Sequence, residues 1–330
     1  MFYLGIDVSK LKLDCTLFLD PMGEKRKSKT VSNTTEGIKN LLDWITKQNI
    51  PLDQLHVIME ATGVYHEVVA MALFNAKVKL SVVNPAQVRN FARGMGVRTK
   101  NDKMDSAVLA RFGASIQPSA WQPPSQEVRE LQELLSRREA VAAELLRERN
   151  REEKIKSAAT VSQTVIQSIV SSIEFLEMEL ERLQKAIDAH VERHSNLKNA
   201  RELLLSIPAV GPRVADTLLP IIIGSSFHSA EQLAAYLGLT PVESSSGSSV
   251  FGRPHLSKSG PSSVGAILYM AAIVAIRYNK HIKNLYECLL AKGKSKMSAL
   301  GAAMRKLVHL CFGVLKTGKP YCADYGKNTI

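Results

Sequence analysis

Apolar and polar positions repeat with two different periods along this chain, and the change of period divides it. Phe2 to Val8 is a short apolar run interrupted by Asp7, and Leu11 to Leu19 alternates at every second residue, the spacing of a half-buried strand. Pro21-Met22-Gly23 reads as a turn into a lysine-rich edge strand from Lys25 to Val31. Asn33-Thr34-Thr35-Glu36 offers a helix N-cap, and Ile38, Leu41, Leu42 and Ile45 follow at helical spacing. Leu55 to Met59 is an apolar strand that stops at Glu60. Tyr65 to Ala76 reads as helix, Val78 to Val83 as strand, and Asn84-Pro85 as a helix start. Three meandering strands, then helix, strand, helix, strand, helix, predict a mixed sheet with helices on its faces.

Gln122-Pro123-Pro124-Ser125 breaks the chain, and beyond it the composition turns to Leu, Glu, Arg, Ala and Gln. Ile166, Ile169, Ile173, Leu176, Leu180, Leu183 and Ile187 are spaced alternately three and four apart. That is an a/d heptad seam, with Leu131, Leu135 and Leu145 on an earlier helix of the same character. A helical hairpin or coiled coil is expected, and its balanced charge favours a protein partner over DNA. Such a short seam buries little alone, which predicts a homo-oligomer, a dimer or tetramer on nucleic acid. From Gly224 onward glycine and serine become frequent, and Glu243 to Gly252 reads as a loop.

Composition narrows the field. The 330 residues are 45% hydrophobic, enough for real cores and too many for disorder. Cys15, Cys288, Cys311 and Cys322 form no CxxC pair; zinc ribbons and disulfide scaffolds are thereby disfavoured, and buried reduced thiols are expected. Asp7 interrupts the first apolar run, which has no basic flank, and this argues against a signal peptide. The apolar run Val264 to Ile276 is too short to span a bilayer. A soluble, cytoplasmic protein with no membrane partner is expected. The net charge is +12, and residues 251–330 hold 13 basic residues against Glu287 and Asp324 alone. A tail of net +11 on a near-neutral body points to a polyanion, with nucleic acid first. Arg253, Lys258, Arg305 and Lys306 are the candidate phosphate contacts.

Four acids draw attention. Asp7 lies inside a strand, where an uncompensated carboxylate is costly. Glu60 ends another strand. Asp102 and Asp105 stand three apart on a helix and so share a face. Taken singly, each fits a bland role as turn, cap or solvated helix start. Together, mid-strand acid, strand-end acid and late helical pair form the arrangement of ribonuclease H-like nucleases. Like charges this close repel, and a bound cation would hold them ionised. An all-oxygen set suits Mg²⁺ or Mn²⁺ better than Zn²⁺.

The segments Gly5-Ile6-Asp7-Val8-Ser9-Lys10, Glu60-Ala61-Thr62-Gly63-Val64-Tyr65, Asn84-Pro85-Ala86 and Asp102-Lys103-Met104-Asp105 resemble the DEDD transposases of the insertion-sequence one-ten family. These are RuvC-like recombinases related to Piv-type DNA invertases. The resemblance implies that Asp7, Glu60, Asp102 and Asp105 bind two divalent ions and that a C-terminal serine is the nucleophile. It further implies double-stranded DNA (element end and target) as substrate, a structured bridge RNA as guide, and a bacterial, nucleoid-associated location. Ser206-Ile207-Pro208-Ala209-Val210-Gly211-Pro212-Arg213 looks like a helix-hairpin-helix, with Ala209 where the motif's first glycine usually stands. Gly211 and Arg213 would then meet a phosphate without reading sequence. Gly238-Leu239-Thr240-Pro241, Ser257-Lys258-Ser259-Gly260 and Leu268-Tyr269-Met270-Ala271 match the family's next landmarks and place the nucleophile in the run Ser244 to Ser249, at Ser246.

The implied architecture is α/β plus all-α: a ribonuclease H-like (RuvC-like) catalytic domain over 1–121, a helical coiled-coil segment over 122–196, and a mostly helical domain over 197–330 carrying the helix-hairpin-helix and serine loop. The acids and the serine fall in different domains, so the site must be assembled by packing. Three other readings compete. A junction resolvase or nuclease would use metal-activated water. A sugar kinase would need a second glycine-rich phosphate loop, which the sequence lacks. A non-catalytic nucleic-acid scaffold would bind no divalent ion.

Overall fold

The computed structural model describes residues 1–20, 25–61, 63–96, 102–242, 245–246, 250–251, 255–257 and 259–324. The chain divides into two compact units, Met1–Pro123 and Pro124–Ile330.

The first unit is a mixed five-stranded sheet with helices on both faces. Its elements run β1 (Phe2–Val8), β2 (Lys12–Phe18), β3 (Arg26–Ser32), α1 (Thr35–Thr46), β4 (Leu55–Glu60), α2 (Glu67–Asn75), β5 (Lys79–Val83), α3 (Pro85–Gly94) and α4 (Asp102–Ile116). The strand order is β3-β2-β1-β4-β5; β2 is antiparallel to both its neighbours, while β1, β4 and β5 are parallel. The period-2 alternation sorts side chains cleanly. Leu4, Ile6, Leu13, Leu17, Leu55, Val57, Met59 and Leu80 point to one face and form a core with Ile38, Leu41 and Ile45 of α1 and Val69 and Leu73 of α2. Each such fully buried side chain contributes about 1.5–3 kcal/mol. The opposite face carries Tyr3, Phe18, Ile58 and Val83, packed on Leu109, Ala110 and Phe112 of α4. The helix starts match their sequence signals. Thr34 Oγ1 accepts from Gly37 N, and Asn84 Oδ1 accepts from Ala86 N with Pro85 in the first helical position. Helix α2 begins at Glu67 rather than Tyr65, because Glu67 N closes a turn onto Val64 O.

The second unit is almost wholly helical. Helices α5 (Gln126–Lys156) and α6 (Gln163–Arg193) form an antiparallel hairpin, tied by Arg138 to Gln184 and Arg149 to Glu177. Val141, Leu145, Leu176 and Leu183 fill its distal seam. Helices α7 (Ser195–Leu205), α8 (Pro212–Ile223), α9 (Ala230–Tyr236), α10 (Ser262–Tyr278), α11 (Lys280–Ala291) and α12 (Lys296–Thr317) share one core with the hairpin's base, centred on Leu131, Ile187, Leu218, Leu268 and Leu307. Helix α12 has the length and hydropathy of a membrane span. Its Ala299, Ala303, Leu307, Val308 and Cys311 are nonetheless buried in that core.

Two expectations are corrected. The Glu243–Gly252 stretch is not simply loop: β6 (Pro241–Val242) pairs with β9 (His255–Leu256), and nested inside them β7 (Ser245–Ser246) pairs with β8 (Val250–Phe251). Strands of two residues are too short to show alternation. The thiols are all free, but only Cys15 and Cys311 are buried, and Cys288 and Cys322 are exposed. Burial pushes both buried thiols up, Cys311 to about 12, so neither is a nucleophile at neutral pH.

Candidate active site

Strand pairing brings two of the acids side by side. In the parallel pair β1–β4, Gly5 lies opposite Ile58 and Ile6 opposite Met59. Asp7 and Glu60 are the next residues on each strand, so both follow onto the face that carries Ile58. Both are half-buried. They sit at the carboxyl ends of parallel strands, where α/β folds place their chemistry.

A third acid stands in the same row. Asp14 of β2 is the register partner of Asp7 and is only 6% exposed. Thr30 Oγ1 donates to its Oδ1 at 2.6 Å, and Lys12 Nζ lies 3.0 Å from its Oδ2. Sequence reasoning passed over Asp14 as the polar phase of an alternating strand. The available signal was that its phase is the phase of Asp7. Asp14, Ser28, Thr30 and Ser106 border a cavity of about 240 Å³.

Helix α4 crosses this face, and Gly5 is what lets it. A Cβ on Gly5 would fall 1.9 Å from Ser106 O and 2.5 Å from Ala110 N. The helix backbone therefore rests directly on β1, two residues before Asp7. Asp102 opens α4 and Asp105 precedes Ser106. The first turn of α4 thus lies toward the end of the face that holds Asp7 and Glu60. Asp105 is half-buried; the Asp102 side chain lies outside the described residues. Among the described residues no three His, Cys, Asp or Glu side chains form a ready metal cluster. The donor types present are all oxygen, with Asp7 and Glu60 adjacent, and oxygen donors are the kind that suits a hard divalent ion.

In the second unit, Ser246 pairs with Val250 near the tip of the nested hairpin. Its side chain lies outside the described residues, as do Arg253 and Lys258. At the hairpin's base an apolar cavity of about 330 Å³ is lined by Leu239, Leu256, Pro261, Tyr269, Leu300 and Met304.

The α7–α8 connection is a tight turn. Val210 N donates to Ile207 O at 2.9 Å, Pro208 occupies the second position, and Ala209 has φ +80°. This is the geometry of a type II turn, whose third position favours glycine. Gly211 is the N-cap of α8, and Gly211, Pro212 and Arg213 are exposed, which leaves the first amides of α8 accessible to an anion. One turn further, Asp216 is fully buried. Arg201 Nε lies 2.7 Å from its Oδ1, and Arg138 reaches within 3.8 Å. Burial pushes the Asp216 carboxyl up, against the pull of the two guanidiniums. Arg305 and Lys306 lie on α12, Lys306 exposed and Arg305 half-buried with its Nε 3.4 Å from His309 Nε2.

Comparison with known proteins agrees with these motifs. Residues 4–155 match a family model described as "Transposase", of the DEDD type, and residues 201–287 match "Transposase IS116/IS110/IS902 family". The chain is 31% identical over 326 residues to the "Pilin gene-inverting protein" of Moraxella bovis, covering 97% of both chains. A protein of the same description from Moraxella lacunata matches equally. The "Insertion element IS110 uncharacterized 43.6 kDa protein" of Streptomyces coelicolor is 30% identical over 158 residues, 48% of this chain and 38% of that one. With an acid-bearing mixed sheet followed by a helical unit, the fold belongs with the DEDD transposases and DNA invertases. The chain is a member of the IS110 family of transposases. DNA recombination is that family's class of chemistry.

Proposed function

We propose that this chain is a site-specific DNA recombinase of a mobile element, in which Ser246 cleaves a DNA strand and holds it as a phosphoserine until exchange. The adjacency of Asp7 and Glu60 on the face crossed by α4 carries the reading. Residues 1–121 act as a RuvC-like catalytic domain, 122–196 as a coiled-coil segment, and 197–330 as the serine-bearing domain with its helix-hairpin-helix. Asp7, Glu60, Asp102 and Asp105 would hold two Mg²⁺ (or Mn²⁺), which when bound supply Lewis-acid stabilisation at the scissile phosphate. Ser246 Oγ forms a bond to phosphorus, its proton is lost, and the displaced sugar oxygen leaves as a hydroxyl. A hydroxyl from the second strand then attacks the phosphoserine, restoring the serine and the phosphodiester.

The other residues hold substrate. Gly211 and Arg213 cradle a backbone phosphate at the start of α8, and Arg253, Lys258, Arg305 and Lys306 hold DNA or a bridge RNA against the serine domain. That RNA, rather than side chains, selects element end and target. The hairpin exposes Leu146, Val170, Phe175 and Met178, and such a distal apolar surface suits a dimer or tetramer contact.

The test is covalent trapping. Full-length protein with guide RNA, Mg²⁺ and nicked element-end DNA should give a protein–DNA adduct that is lost in Ser246→Ala and in Asp7→Asn. An adduct that persists in Ser246→Ala overturns the serine assignment. Cleavage without any adduct turns the reading toward a water-using nuclease.

A further inference from the structure

We propose that Thr16 and Ser106 are positioning residues for the acidic site: the bond between their hydroxyls sets the rotation of α4 and so the direction of the Asp105 carboxyl. The inference rests on the reading of those acids as metal ligands.

Two rows of side chains cross the relevant face of the sheet. One is Gly5, Thr16 and Ser28; the next is Asp7, Asp14 and Thr30, continued by Glu60. Across β1, β2 and β3 the first row contains no large apolar group; on β4 it continues with Ile58. In it Thr16 Oγ1 lies 2.8 Å from Ser106 Oγ and 3.2 Å from Ser28 Oγ, with Thr16 and Ser106 each only 1% exposed. Ser106 follows Asp105 directly, and Thr16 lies two residues along β2 from Asp14 in the row that holds Asp7. The hydroxyl chain therefore joins the sheet to the helix within one turn of both helical acids.

The site needs such a joint for two reasons. Where the α4 backbone comes closest to the strands the contacts are small, Ala110 against Gly5 and Gly113 against Ile58 and Tyr3, flanked by the larger Leu109 and Phe112. Apolar contacts between small groups are non-directional and resist rotation weakly. A slip of one residue turns a helix by about 100° and shifts it about 1.5 Å, enough to aim Asp105 elsewhere. Asp7, Glu60 and Asp105 are also acids on facing elements, and like charges brought together repel. A buried hydroxyl pair is directional, and at this point it opposes both rotation and separation. Gly5 supplies the close approach that makes the bond possible.

Mn²⁺ titrated into full-length protein, with the free ion followed by electron paramagnetic resonance, tests the proposal alongside thermal unfolding. Thr16→Val and the double variant Thr16→Val/Ser106→Ala should each bind Mn²⁺ about tenfold more weakly, the scale of lost outer-shell support. Thr16→Ser keeps the hydroxyl and should bind within about twofold of the native chain. In the double variant neither Thr16 nor Ser106 leaves the other unsatisfied, and the exposed Ser28 turns to water, so its Tm should stay near that of the native chain while its affinity falls. A merely structural pair would give affinities that track Tm. Native affinity in the double variant, with binding lost in Asp7→Asn, overturns the joint alone. No Mn²⁺ binding by the native chain overturns the metal reading, and this inference falls with it.

Discussion

Acidification should unfold the sheet unit through His56. This histidine of β4 is 1% exposed and sits between Tyr3, whose ring centroid is 6.0 Å away, and Ser81. Its Nε2 lies 2.8 Å from Ser81 Oγ, while Ser81 donates its own proton toward Ser119 O at 2.7 Å and Pro118 O at 3.1 Å. Ser81 can therefore only accept from the ring, so the neutral imidazole carries its proton on Nε2. Burial, aided by the charge of Lys79, lowers the His56 pKa to about 4. The unfolded chain titrates near 6.5. A group depressed in the folded state contributes stability that is fully present above about pH 6.5 and lost as the pH falls toward 4. At about 1.36 kcal/mol per unit, the loss is about 2 kcal/mol by pH 5 and about 3 kcal/mol below pH 4. Both tryptophans, Trp44 and Trp121, pack against the core of this unit, so tryptophan fluorescence during urea unfolding reports on it directly. Between pH 7.5 and pH 5 the native chain should lose about 2 kcal/mol more than His56→Gln, which keeps a donor but does not titrate. Equal losses in the two proteins would refute the assignment.

Three further outcomes follow from particular contacts. Ala209→Gly relieves a left-handed alanine, worth about 1–2 kcal/mol, against about 0.4–1 kcal/mol of added chain entropy; a small rise in Tm is expected, and a fall would show that φ +80° is not strained here. Gly211 has φ −89° and open space around its Cβ position, so Gly211→Ala should leave Tm unchanged while weakening DNA retention on filters; unchanged retention would remove Gly211 from the interface. Asp216→Ala removes the buried partner of Arg201 and Arg138, which keep Asp188 and Gln184, and should cost about 1–3 kcal/mol, read as a lowered midpoint in denaturant; no measurable loss would mean that solvent and the remaining partners replace it.

The sheet was legible because its strands are apolar runs or alternate: Leu4, Ile6 and Leu13, Cys15, Leu17 face α1 and α2, while Tyr3, Phe18 and Ile58 face α4. Asp7 and Glu60 were legible as exceptions at strand ends. Their adjacency was not, because it depends on the register between β1 and β4, and no local signal carries register between parallel strands. Asp14 and Thr16 escaped notice for the opposite reason. They look like ordinary solvent-phase residues, and only α4 laid across that face turns them into buried groups. The nested hairpin around Ser246 was read as loop since pairs of two residues have no period to detect. The helical hairpin was clear from its 3-4 spacing, while its antiparallel pairing came from Arg138–Gln184 and Arg149–Glu177.

The same helical hairpin also has a length. Its base is embedded in the core through Leu131, Leu135, Ile187 and Val191, Arg138 still reaches Asp216, and the apolar seam beyond is made by α5 and α6. About twenty residues of helix at 1.5 Å each carry the tip about 30 Å clear of that core. One turn of B-form DNA is about 34 Å. On the proposed function, a partner bound at the tip would be held roughly one helical repeat from the core of the helical unit. Deleting one heptad from each helix would shorten that reach by about 10 Å, or about three base pairs, and change the spacing of sites the assembly can join without touching any residue that contacts them.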